Sequence, residues 1–254
     1  MALDGWIAYY KPRAAPRVRL FCFPFSGGGA STYRTWQAEL PAAIEVCPVQ
    51  LPGRESRLRE PPYTRLLPLV RVMAEVLHPL LDLPFAFFGH SLGGRLGFEL
   101  AREVRRRYGL SPMHLFVSAA PAPQVAFPKV HVHSESDATI VERMRRLGGT
   151  PDSVLQHREL MEMLLPLMRA DFALSETYVY EPDAPLQCPV SAFGGTADPE
   201  VSREGLQAWQ SQTCGPASVR IYPGGHFFLH DFRAEVLEAI AAALAASVER
   251  SAVK

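Results

Sequence analysis

Gly89-His90-Ser91-Leu92-Gly93 is a G-x-S-x-G pattern set between the apolar run "PFAFF" and the helix-like stretch "LGGRLGFELAREVRRRY". In that setting the pattern describes a nucleophile elbow, a strand-to-helix turn too tight for side chains two residues either side of the serine. Glycine at 89 and 93 removes those side chains. The turn lifts the Ser91 hydroxyl above the C-terminal edge of a sheet, and the next helix aims its N-terminal amides at the same point. A serine hydroxyl is a poor nucleophile at neutral pH; it needs a base, and the base needs orienting. Asp198 in "GGTADP" lies just past the apolar run "PVSAF", and His226 in "YPGGHFFLHD" lies just past "ASVRIY". Pro199 biases Asp198 towards extended backbone, as a strand-to-loop exit requires. Serine, acid and histidine thus occur in the chain order that follows such an elbow.

The other candidates compete poorly. His226 and His230 have the i, i+4 spacing of a helical metal pair, but Gly224-Gly225 puts His226 in a loop and no third ligand has suitable spacing. His131 and His133 flank Val132 in a loop-like stretch and read as surface residues. His90 should point away from Ser91 and bond or pack locally. Asp171 and Asp183 fall in a region without strands, which leaves Asp198 as the acid.

The elements that must position these residues alternate. Apolar runs at 18–24, 44–51, 84–91, 113–120, 189–195 and 217–225 read as strands. Stretches 31–40 (with Ser31 as its cap), 65–81, 92–108, 202–212 and 233–250 read as helices, and 52–64 as a polar, proline-rich loop. Such alternation predicts an α/β fold, a mostly parallel central sheet with helices on both faces. The chain reads as a single domain over 1–254, interrupted at about 121–187 by a helical insertion. The insertion's second helix, 158–175, is apolar nearly all round, so it is either buried on both sides or turned on one side to an apolar ligand.

Composition narrows the class. Of 254 residues, 48% are hydrophobic and 20% charged, and 26 basic residues balance 26 acidic ones. That is ordinary globular usage with no bulk field for nucleic acid or an anionic membrane. No apolar run approaches the roughly 18 residues of a membrane span. "MALDGWIAYYKPR" is not a signal peptide, because Asp4 comes early and no long apolar core follows. The four cysteines are scattered without a C-x-x-C; Cys22, Cys47 and Cys188 lie in or beside apolar segments, which fits buried free thiols, and the lack of a disulfide pattern fits a cytoplasmic location. The loop "FPFSGGGAS" (23–31) lacks both a Lys-Ser/Thr after its glycines and a G-x-G-x-x-G spacing, so it is not a phosphate cradle.

Nearly end to end, the chain resembles the type II thioesterases of polyketide and non-ribosomal peptide pathways, an α/β-hydrolase group. The resemblance rests on "FCFPFSGGGAS", "VQLPGRESRLREPPYT", "FGHSLGG", "RLGGTP", "LLPLMRADF", "ETYVY", "GGTADP" and "PGGHFFL". The elbow is common to many hydrolases, whereas "LPGRESR" and "LGGTP" with "LLPLMRADF" are far more specific. Phe25 departs from the histidine that many relatives carry in this loop.

The resemblance implies hydrolysis of acyl groups from the phosphopantetheine arm of acyl or peptidyl carrier proteins, clearing stalled or wrongly primed units. It implies no cofactor, no metal, a monomer by default, and an insertion that serves as a lid. Ser91 would attack, His226 would take its proton and Asp198 would steady the imidazolium. The oxyanion would be held by the backbone N–H of Leu92, the residue after the nucleophile, and by that of Ser26, with Phe25 as the alternative. Arg54, Arg57 and Arg59, or Arg143, Arg145 and Arg146, are candidates for docking an acidic carrier, or are simply solvated. Two other readings stay open: a medium-chain fatty acyl thioesterase that ends fatty acid synthesis, and a non-catalytic binding protein on a hydrolase scaffold.

Overall fold

Six strands lie side by side in the order β2-β1-β3-β4-β5-β6. They are β1 (Val18–Phe23), β2 (Ile44–Pro48), β3 (Phe85–His90), β4 (His114–Ser118), β5 (Val190–Gly195) and β6 (Ala217–Tyr222). Every pairing between them is parallel. The computed structural model describes residues 5–125 and 131–252, so Asp4 and residues 126–130 of the expected insertion lie outside it. β3, β4 and β5 are buried at every position, as continuous apolar strands covered on both faces must be.

The helices are α1 (Trp36–Glu39), α2 (Leu66–Leu77), α3 (Leu92–Tyr108), α4 (Asp137–Leu147), α5 (Asp152–Leu155), α6 (Arg158–Glu176), α7 (Arg203–Gln207) and α8 (Arg233–Ala252). On one sheet face Phe21, Phe23 and Phe87 pack with Met73 of α2 and Leu96 of α3. On the other, Phe88, Phe116 and Phe193 pack with Trp36 of α1 and Ile240 of α8. α3 stops where sequence physics stops a helix: Gly109 takes the left-handed conformation (φ 66°), and three arginines occupy the last turn beside the carbonyl end of the dipole. No helix among the described residues is long and apolar enough to cross a membrane.

Three local expectations change. Stretch 31–40 is not one helix but a 3-10 turn (Ala30–Tyr33) followed by the single turn of α1. Ser31 caps nothing; its hydroxyl donates to Glu55 Oε1 at 2.5 Å instead. Stretch 202–212 likewise divides into α7 and a 3-10 turn. Between β4 and β5 the chain forms α4, α5 and α6 and no strand among the described residues. α6 is not buried on both sides: Met161, Leu167 and Leu174 are buried, Leu160 and Met163 face solvent, and Leu164, Met168 and Phe172 turn to a cavity. The cysteines are free thiols: burial pushes Cys22 and Cys47 well above the ordinary thiol range and Cys188 up to about 12, and Cys214 is exposed.

The topology itself points to a site. β1 leads outward to β2, and the chain then returns to place β3 on β1's other side. The crevice beyond the strand ends at such a reversal is where open α/β sheets bind ligands. Register brings Phe23 of β1 opposite Gly89 of β3, so the glycine-rich loop and the elbow leave the sheet side by side.

Candidate active site

Ser91 stands between β3 and α3 with φ 54° and ψ −117°, a conformation an L-residue adopts only under constraint. Its amide donates to the Ser118 carbonyl at 2.7 Å, which anchors the turn to β4. A Cβ on Gly89 would fall 2.0 Å from the Gly93 backbone, and one on Gly93 would fall 2.1 Å from the Phe23 carbonyl oxygen. The glycines of the pattern are therefore steric necessities of this turn.

His226 and Asp198 leave the sheet from β6 and β5 and converge on Ser91. His226 Nε2 lies 2.9 Å from Ser91 Oγ, and His226 Nδ1 lies 2.8 Å from Asp198 Oδ2. The two partner side chains of the relay are almost fully buried, at 3% and 0% exposure. Asp198 Oδ1 accepts the Glu200 N–H at 2.9 Å, which fixes the carboxylate's second oxygen. A buried acid holding one imidazole nitrogen leaves the other to take the serine proton.

The remaining histidines fall into place. His90 is fully buried on the far side of the elbow, and its Nδ1 lies 2.9 Å from Ser118 Oγ. Burial, followed by the neighbouring His226 and His230, holds its pKa well below the usual histidine value, so it stays neutral. His230 is exposed in a 3-10 turn with its ring against Phe227. His131 is exposed as expected, but His133 is only half exposed: its Nδ1 lies 2.7 Å from Glu176 Oε2. These three side chains could meet at one ion, yet Arg143 already donates to Glu176 Oε1 at 2.6 Å and supplies the compensating charge.

Phe25, Ser26 and Leu92 line the same cavity as Ser91 and His226. The Ser26 and Leu92 N–H groups have no hydrogen-bond acceptor among the described residues. The Phe25 ring is not idle: it packs edge-on against Phe227 and His90, with centroids 4.8 and 5.8 Å apart. The cavity measures about 170 Å³. Leu164, Met168 and Phe172 of α6 form part of its wall, and Arg95, Arg143 and Glu200 add charge to it.

Two of the arginines considered for carrier docking are interior. Arg54 makes two 2.8 Å bonds to the Asp171 carboxylate, and Arg57 is buried beneath Trp6, its guanidinium 4.0 Å over the ring. Arg143 is partly buried, with 10% of its side chain exposed, between Glu176 and Glu200. Arg59, Arg145 and Arg146 stay at the surface. Asp171 and Glu176 were not foreseen as site neighbours. The one available signal was that Arg54 and Asp171 sit in "LPGRESR" and "LLPLMRADF", the two most distinctive segments of the chain.

Comparison with known proteins agrees with this geometry. Residues 18–244 match the Thioesterase domain family. The gramicidin S biosynthesis protein GrsT of Aneurinibacillus migulanus is 44% identical over 93% of this chain and 92% of its own length. RedJ, a thioesterase from the prodiginine biosynthetic pathway in Streptomyces coelicolor, superposes with a TM-score of 0.85 at 40% identity, covering 92% of this chain and 88% of its own. BorB, the type II thioesterase from the borrelidin biosynthetic cluster, gives 0.87 at 38% identity over 95% and 98%. The chain belongs to the thioesterase family, and its fold is the α/β-hydrolase fold of those relatives, built to hydrolyse a thioester.

Proposed function

We propose that this thioesterase releases acyl groups from the phosphopantetheine arm of carrier domains in a polyketide or non-ribosomal peptide assembly line, clearing stalled or wrongly primed units. The observation that carries the reading is the Ser91–His226–Asp198 relay, at 2.9 and 2.8 Å, opening on the cavity. The biosynthetic settings of GrsT, RedJ and BorB favour this substrate over the medium-chain fatty acyl alternative.

In this reading Ser91 Oγ attacks the thioester carbonyl while its proton passes to His226 Nε2. The carbonyl electron pair moves onto oxygen, where the Leu92 and Ser26 N–H groups receive it. Collapse breaks the C–S bond; a thiol's ordinary pKa of about 8.5 makes the thiolate a good leaving group, and it takes its proton from His226. Water then attacks the acyl-serine by the same relay and frees the acid. The helices between β4 and β5 serve as a lid, and α6 supplies the apolar wall against which the acyl chain lies. A cavity of about 170 Å³ is smaller than the roughly 300–1,000 Å³ of drug-sized sites, which suits a short acyl unit.

The test is turnover of acyl-carrier substrates graded in chain length, with Ser91→Ala alongside. Acetyl and propionyl groups should be released fastest, and Ser91→Ala should lose activity by at least about 10³-fold, as removal of a triad nucleophile does. Selectivity centred on eight to twelve carbons would instead identify the fatty acyl thioesterase. Failure of the native protein to react with a serine-directed fluorophosphonate would leave only a binding role.

A further inference from the structure

We propose that Asp171, held by Arg54, is a positioning residue that sets the oxyanion loop and ties it to α6. The inference rests on the functional reading above. Asp171 is fully buried on α6, and its Oδ2 accepts the Gly27 N–H at 2.7 Å. The same carboxylate receives both ends of the Arg54 guanidinium at 2.8 Å, and Arg54 also donates to the Gly28 carbonyl at 3.0 Å. Three separated pieces of chain thus meet at one ion pair: the glycine-rich loop, the loop after β2 and the helix that walls the cavity.

The turn chemistry gives that meeting a consequence. Gly28 N–H donates to the Phe25 carbonyl at 2.9 Å, which closes a four-residue turn over 25–28. Gly27 at its third position has φ +78°, and Ser26 at the second is not left-handed, so the turn is type II. In a trans peptide the C=O and N–H point opposite ways. With the Phe25 carbonyl drawn into the turn, the Ser26 N–H is directed out of it, and it has no internal acceptor among the described residues. A type II turn differs from type I by a flip of its central peptide, here Ser26–Gly27. That flip would turn the Ser26 carbonyl oxygen towards the Asp171 carboxylate in place of the Gly27 N–H; the Phe25–Ser26 peptide keeps its direction in both turns, so Asp171 acts on the Ser26 N–H by fixing where the loop sits against α6. Asp171 therefore selects one turn type, and the two-pronged Arg54 contact fixes the buried carboxylate in place. A Cβ on Gly27 would fall 2.5 Å from Met168 Sδ, so the loop and α6 are also in direct steric contact here. An ion pair that merely anchored α6 would not need to reach the loop's own amide.

The test uses Asp171→Ala, Asp171→Asn and Arg54→Lys in the full chain. The readouts are kcat and KM on a short acyl-pantetheine thioester, affinity for an alkyl boronic acid, and the unfolding midpoint. The boronic acid adds Ser91 Oγ to boron, so its tetrahedral adduct offers an oxygen to the oxyanion donors. Asp171→Ala should lower kcat and boronate affinity together by about 10²-fold, the scale of a lost or misplaced oxyanion donor, with KM within about twofold of wild type. Asp171→Asn, which keeps an acceptor for Gly27 N–H, should lose about tenfold, and Arg54→Lys, which loses the fork, should fall between them. If Asp171→Ala does not fold, Asp171→Asn carries the comparison. Boronate affinity unchanged in a folded Asp171 variant, or a change confined to KM, would overturn the inference alone. A wild-type protein that neither turns over the thioester nor binds the boronate would overturn the functional reading and this inference with it.

Discussion

The sheet and the helical segment between β4 and β5 are held together by different physics. The sheet's faces are dry and aromatic: Phe21, Phe87, Phe88 and Phe116 are fully buried, and strand hydrogen bonds satisfy the backbone. The helical segment has a smaller apolar cluster built on Ile140, Met144, Met161 and Phe172, and much of its attachment is ionic. Arg143 bridges Glu176 of α6 to Glu200 beside Asp198, Arg169 holds Asp137, and Arg54 holds Asp171. Apolar burial is non-directional and degrades gradually, whereas a charged contact is made or broken at a defined geometry. Ser91 therefore stands on the part of the molecule held by apolar burial, and the cavity wall on the part whose attachments are charged and directional.

The largest way to break this contrast is in the sheet. Phe116→Ala should cost about 3–5 kcal/mol of global stability, because the surrounding β-layer cannot collapse into the space. Denaturant unfolding should show that loss equally at low and high salt. A strongly salt-dependent loss would mean the sheet, too, leans on charge.

A smaller effect is expected from Arg143→Met, which leaves the Glu176 carboxylate, among the described residues, with the His133 ring and amide as partners. Local opening should become easier by about 1–3 kcal/mol, the penalty of an undercompensated buried acceptor. Amide exchange should then quicken in α4 and α6 while β3 and β4 keep their protection. Equal acceleration in the strands would show that the two regions open as one unit.

The smallest effect lies under the elbow. The folded chain holds His90 well below its ordinary value of 6.5, so on acidification the unfolded chain takes up a proton that the native chain refuses. His90's contribution to stability is thus complete above pH 6.5 and declines as pH falls below it. Thermal midpoints from pH 7.5 to 5 should fall less steeply in His90→Asn than in wild type. Identical slopes would mean that His90 does not contribute to the acid sensitivity of the sheet edge.

What the sequence made legible follows the same division. Ser91, Asp198 and His226 could be placed because each follows an apolar run and because an elbow has a local signature in Gly89 and Gly93. The Arg54–Asp171 pair could not, since its members are 117 residues apart and no spacing rule links a loop arginine to a helical aspartate. Arginines such as Arg54 and Arg57 read as surface charge until a structure reveals the Asp171 carboxylate and the Trp6 ring that bury them. Stretch 31–40 failed for a tertiary reason: the Ser31 hydroxyl that would have capped a helix is bonded to Glu55 from a distant loop.

Ser91 is held at φ 54°, where glycine is at ease and serine is not. Backbone strain of this kind costs on the order of 1–3 kcal/mol per residue. The residue that this position would favour for folding is therefore not the one the reaction needs. A mutational screen scored on thermal tolerance alone should enrich Ser91→Gly, an inactive and sturdier protein, while one scored on turnover should purge it. Depletion of that substitution in both screens would mean that the elbow stores no strain worth releasing.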